Sequence, residues 1–199
     1  MAKENSSRQQ HLRQLIAQHA ARMMAEDGVA DYALAKRKAS RQLGVEDTQC
    51  LPSNAEISQE LRVYQGIYLG EEQPEQLRQL RIDALATMRL LKQFNPSLTG
   101  AVLDGTAGRY AETDIHLYAD SDKEVEMFLL NSKIPYQTKE RSYFFNGERR
   151  KVPVFVLEGP HGTVLLSVFS PAEAYRNTTG GIACAGTVEV EAILNNMAI

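Results

Sequence analysis

The feature that most constrains this chain is a change of period near its middle. Up to about residue 94, apolar residues recur at helical spacing; after that they alternate or cluster in short runs. Leu12, Leu15, Ile16, His19, Ala20 and Met23 share one helical face, and Asp27-Gly28 stops that pattern. Asp31 is placed to cap a second helix that carries Ala35, Ala39 and Leu43, with Gly44 as its stop. Pro52-Ser53 opens a third, where Ser53 and Glu56 have the spacing of a reciprocal cap. A fourth runs from about Glu75 to Phe94: Leu77, Leu80, Ala84, Met88 and Leu91 keep one side apolar until Asn95-Pro96. A chain that opens this way has a helical N-terminal region, here residues 1–72, with the linker Gly70-Glu71-Glu72-Gln73-Pro74 at its edge.

The second half reads as strands. Ala101-Val102-Leu103 is a short apolar run before Asp104-Gly105, read as a first strand. From Asp114 to Ala119 the chain alternates, so Asp114, His116 and Tyr118 share one face and Ile115, Leu117 and Ala119 the other. Ser121 and Glu124 have capping-box spacing and open a helix burying Val125, Phe128 and Leu129. Tyr143–Phe145 and Val152–Leu157 flank Asn146-Gly147, a hairpin turn dipeptide. Thr163–Phe169 is a further strand, residues 177–186 a loop, and Thr187–Met197 a closing helix. The expected class is therefore α/β (α+β): residues 73–199 form a mixed sheet packed with helices, behind the helical region.

Composition narrows the partners. The net charge is −3, with 22 basic and 25 acidic residues, so no global field draws the chain to nucleic acid or an anionic membrane. Trp is absent and aromatics are 7%, which argues against a base-stacking groove. No run approaches the ~18 apolar residues of a spanning helix, so no membrane partner is expected. Cys50 and Cys184 lack metal-ligand spacing and read as reduced thiols of a cytoplasmic protein.

One stretch carries chemistry: Leu103-Asp104-Gly105-Thr106-Ala107-Gly108-Arg109-Tyr110-Ala111-Glu112-Thr113-Asp114-Ile115-His116-Leu117. It resembles the signature of the nucleotidyltransferase superfamily, the DNA polymerase β-like fold, over about residues 75–170. That family has an apolar strand, a Gly-Ser or equivalent turn, a loop, and a strand reading Asp-apolar-Asp-apolar. The resemblance implies a helix, two hairpin strands, a helix and further strands. It implies that Gly105 and Thr106, with Arg109, meet a nucleotide phosphate, that Asp114 is a catalytic residue and metal ligand, and that His116 stands where a second carboxylate ligand belongs. The implied cofactor is Mg²⁺ or Mn²⁺: acids two apart on a strand point the same way and hold divalent ions against the transferring phosphate.

The departures from that pattern shape the expected function. His116 brings no negative charge, and Mg²⁺ prefers oxygen ligands. The later strand Thr163–Phe169 has no acid, while Glu112 and Asp104 are the nearby acids available to substitute. A site reduced from three acids to one loses on the order of a thousandfold in rate. The leading expectation is a non-catalytic or weakly catalytic nucleotidyltransferase-like protein that binds a nucleotide or phosphate-bearing partner in a regulatory role. An active nucleotidyltransferase using Asp114, His116 and Mn²⁺ is the first alternative. The second is an adaptor for RNA or DNA, carried by the basic residues Lys36, Arg37, Lys38 and Arg41 of the second helix. A further basic set, Lys139, Arg141, Arg149, Arg150 and Lys151, flanks the Asn146-Gly147 hairpin; it suits either phosphate binding near the motif or protection of a sheet edge.

Overall fold

In the computed structural model, described for residues 2–29, 31–45, 50–68, 70, 72–108, 110–145, 148–173 and 183–197, the chain divides into two compact units, Met1–Pro74 and Glu75–Ile199. The first is helical: α1 (Ala2–Glu26), α2 (Tyr32–Gln42) and α3 (Asn54–Tyr68). Ile16, Ala17, Ala20 and Ala21 of α1 pack with Ala35 and Ala39 of α2 and Ile57 and Leu61 of α3. The small alanines let the helix axes approach closely. Two of the expected caps form. Asp31 accepts from the amides of Ala33 (2.7 Å) and Leu34 (3.3 Å). Ser53 and Glu56 exchange both bonds of the box, Ser53 N–H donating to Glu56 Oε2 at 2.6 Å and Glu56 N–H to Ser53 Oγ at 3.2 Å.

The second unit holds all but the first three residues of α4 (Glu72–Leu90), followed by β1 (Ser97–Thr99), α5 (Gly100–Asp104), β2 (Thr113–Tyr118), α6 (Asp122–Asn131), β3 (Gln137–Phe145), β4 (Glu148–Glu158), β5 (Thr163–Phe169), β6 (Cys184–Ala185) and α7 (Thr187–Asn196). The strands form one mixed sheet in the order β3-β4-β5-β2-β1-β6. β2 runs parallel to β5, and the other pairs are antiparallel. The class is thus mixed α+β, with helices on an open sheet. Among the described residues no helix is long and apolar enough to cross a membrane.

Leu80, Ala84 and Met88 of α4 and Leu91 just after it are buried to 1% exposure or less, with Ile115 and Leu117 of β2, Leu166 of β5, Leu129 of α6 and Val190 of α7 in the same core. Alternation puts the even-numbered residues of β2 on the opposite face, and the register carries that face across the sheet. Thr99 pairs with Asp114, Asp114 with Leu165, His116 with Ser167, Ser167 with Val154, and Val152 with Arg141. A second small core, Tyr118, Val152 and Phe169 with Tyr143 against them, forms there.

Four local expectations change; one is the loop expected over residues 177–186, where Cys184–Ala185 form β6 and 177–182 lie outside the described residues. The strand before the motif is Ser97–Thr99, and the apolar run Ala101-Val102-Leu103 lies in the short helix α5. Gly100, at φ 72°, makes the turn from one to the other, a backbone region that side chains oppose. Ser121 caps α6 through the amide of Lys123, while the amide of Glu124 goes to the Ser121 carbonyl; this is a simple cap instead of a reciprocal box. β3 extends back to Gln137, longer than the aromatic run alone indicates. The turn Asn146-Gly147 lies outside the described residues.

Candidate functional site

The site is built on the face of β2 that carries Asp114 and His116. At its edge, β1 pairs antiparallel with β2, which sets Thr99 opposite Asp114. The chain then turns at Gly100 into α5. A Cβ placed on Gly100 would stand 3.2 Å from Asp114 Oδ2, so the absence of a side chain lets the carboxylate lie against this turn. Replacing Gly100 with Ala is expected to cost about 1–2 kcal/mol through the left-handed backbone alone, and more through crowding of Asp114. Chemical denaturation of Gly100→Ala beside wild type checks this.

Arg141 closes the site from β3. Its Nη1 donates to Asp114 Oδ1 at 2.5 Å. In the sheet, β4 and β5 lie between β3 and β2, so the sheet curls far enough for a side chain on its edge strand to reach over this face. Lys139, two residues earlier on the same face of β3, lies 3.6 Å from Glu112 at the mouth of β2. Two cations on β3 therefore stand over one carboxylate on β2 and one just before it. Burial pushes the Asp114 carboxyl above the usual carboxylate range, and the adjacent guanidinium works against that rise. The Arg141 side chain keeps 40% of its surface exposed, against 20% for Asp114.

His116 is 2% exposed. Its ring sits 4.5 Å from that of Phe169 and 5.8 Å, edge-on, from that of Tyr143. The Tyr143 hydroxyl and Ser167 Oγ share a hydrogen bond of 2.8 Å, which holds β3 down over the ring. The Nδ1 of His116 is buried with no hydrogen-bond partner among the described residues. Burial, reinforced by Arg141, lowers its pKa to about 4. At neutral pH the ring is uncharged and packed among aromatics.

Gly105 and Thr106 stand elsewhere. Gly105 is the left-handed C-cap of α5 at φ 81°, and its N–H bonds the Ala101 carbonyl. The amides of Thr106 and Ala107 converge on that same carbonyl at 3.0 and 3.1 Å. Arg81, on α4, completes this end: its Nε and Nη2 donate to the carbonyls of Val102 and Leu103, both at 2.9 Å. The structure thus brings Asp114 and His116 together on one face and sets Gly105-Thr106 at the far end of α5, with their amides spent on the backbone. Arg109 lies outside the described residues. On α2, Arg37, Lys38 and Arg41 are exposed, away from the Ala35 and Ala39 face.

The donor set does not fit a pair of divalent cations. Asp114 is already neutralised by a guanidinium, His116 Nδ1 is sealed among aromatics, and the strand beside β2 sets Leu165 opposite Asp114. Among the described residues no group of three His, Cys, Asp or Glu side chains is arranged to hold a metal ion. Mg²⁺ takes near-octahedral oxygen ligation, and a carboxylate already occupied by Arg is a poor start for it.

Sequence reasoning missed the Gly100 turn and the Asp114–Arg141 pair. The first had a local signal in Leu98-Thr99-Gly100-Ala101; the second had none beyond a basic residue near a hairpin. Comparison with protein-family models, with curated proteins and with solved structures returned no match.

Proposed function

We propose that this chain is a nucleotidyltransferase-like protein that binds a nucleotide or other phosphate-bearing ligand without transferring it, and acts by binding or regulation. The support for the fold assignment is the succession of a helix, two antiparallel strands, a helix and further strands, with a carboxylate on the second strand facing a glycine turn. The observation that carries the non-catalytic reading is the Arg141–Asp114 pair. Nucleotidyl transfer by metal assistance needs acids free to hold cations against the α-phosphate and the leaving group. Here one acid is present on the strand and it is engaged. Losing that assistance removes several kcal/mol of transition-state stabilisation, at about 1.4 kcal/mol per tenfold in rate.

Incubation with radiolabelled nucleoside triphosphates and Mg²⁺ or Mn²⁺ is expected to give no labelled product above a no-protein control. Calorimetric titration with the same nucleotides is expected to detect binding. Labelled product that disappears in Asp114→Ala would establish the active enzyme in place of this reading.

A further inference from the structure

We infer that the Arg141 guanidinium is the resident cation of this site, so that a phosphate-bearing ligand is held directly by Arg141, assisted by Lys139, with no metal ion between ligand and protein. This deepens the proposed phosphate-binding function and rests on it.

The geometry carries the inference in three steps. First, Arg141 holds one oxygen of the Asp114 carboxylate: Nη1 to Oδ1 is 2.5 Å. Second, the guanidinium is not consumed by that contact. It has five N–H donors in a planar fork, and 40% of the Arg141 side chain is exposed. Asp114 takes one of these donors and the Tyr143 hydroxyl also lies in hydrogen-bonding contact with the guanidinium, which leaves donors on the exposed part of the fork for a phosphate oxygen. Third, a second cation lies two residues along the same face of β3: Lys139 Nζ is 3.6 Å from Glu112 Oε1, with 41% of its side chain exposed. A loose surface pair of this kind has little net strength, so Lys139 can leave Glu112 for a phosphate at small cost. Gly100 keeps side-chain bulk off the Asp114 side of the site.

A guanidinium in place of metal ions also accounts for binding without transfer. It carries one positive charge and cannot coordinate and activate the attacking oxygen, which divalent ions do. Asp114 then acts as a positioning residue for Arg141.

Titration calorimetry with ATP and, separately, inorganic tripolyphosphate, each in excess EDTA and in Mg²⁺, tests the inference. Equal affinities within threefold in both buffers are expected. Arg141→Gln is expected to weaken binding at least tenfold, as follows from losing a hydrogen bond to a charged group of about 1.5–3 kcal/mol. Arg141→Lys is expected to fall between the two, because charge is kept and the fork is lost. Asp114→Asn is expected to weaken binding equally in EDTA and in Mg²⁺, and by less than Arg141→Gln does, since the guanidinium loses its anchor and keeps its charge; loss of a metal ligand would instead weaken binding in Mg²⁺ alone. Circular dichroism confirms that each variant folds. Binding seen only with Mg²⁺, or unchanged affinity in a folded Arg141→Gln, overturns the inference and leaves the proposed function standing. No binding of either probe in either buffer overturns the proposed function itself.

Discussion

Arg81→Ala is expected to destabilise the unit Glu75–Ile199 by about 2–4 kcal/mol. Arg81 is 7% exposed, and burial lowers its pKa. Its hydrogen-bond acceptors are the carbonyls of Val102 and Leu103 and the sulfur of Met197, at 2.9 Å each. These are two of the carbonyls that a helix as short as α5 cannot satisfy internally. Removing the guanidinium loses two charge-assisted bonds of about 1.5–3 kcal/mol each and leaves one oxygen buried and the other partly buried, offset in part by relief of the buried charge. Arg81→Lys should not restore stability, since one ammonium cannot reproduce a planar fork aimed at two consecutive carbonyls. The measurement is amide hydrogen exchange on the core of this unit, where slow exchange of Leu117 and Leu166 reports its global opening. Exchange there within a factor of two of wild type in Arg81→Ala would show that the carbonyls find other partners. The variant also bears on the site: α5 begins at Gly100, so loosening its C-terminal end frees the turn that abuts Asp114.

What was legible in the chain, and what was not, follows from the range of each interaction. The helices of both units are written in local spacing: Leu77 to Leu91 step along one face because that face meets a sheet. Asp31 and Ser53 cap because a free amide two or three residues on is their nearest donor. The alternation from Asp114 to Ala119 likewise gave the two faces of β2 correctly, one into the core and one into the site. The run Ala101-Val102-Leu103 misled because three apolar residues fit a buried strand or a buried helix equally well. The discriminating signal was Gly105, which follows such a run as a helix C-cap does. Asp104-Gly105 also has the form of a turn beside a phosphate, whereas the glycine that faces Asp114 is Gly100, at the other end of α5. β1, at three residues, is too short to show a period. Arg141 was visible as a cation near a hairpin, but its partner lies 27 residues away and across two intervening strands. That contact depends on sheet order and curl, which no local pattern encodes.

Acidification is expected to weaken the fold through His116 more than through any neighbouring group on that face. The ring is buried neutral, with a pKa of about 4 against an ordinary value of 6.5. Between those values the unfolded chain binds a proton that the folded chain refuses, so stability rises with pH across this window and is lost as pH falls through it. At about 1.4 kcal/mol per pKa unit, the loss by pH 4 is about 3 kcal/mol. Asp114 has the opposite sign: its carboxyl is raised by burial, so the folded state favours its proton on the acid side and offsets part of the loss. The comparison with His116→Phe isolates the histidine. Phenylalanine keeps an aromatic ring between Phe169 and Tyr143 and removes a buried nitrogen that has no partner among the described residues. Relative to wild type, the variant should gain about 3 kcal/mol in stability between pH 7 and pH 4, read from urea unfolding at each pH. A gap that stays constant with pH would mean that the imidazole takes up its proton in the folded state as easily as in water, and that β3 does not seal it.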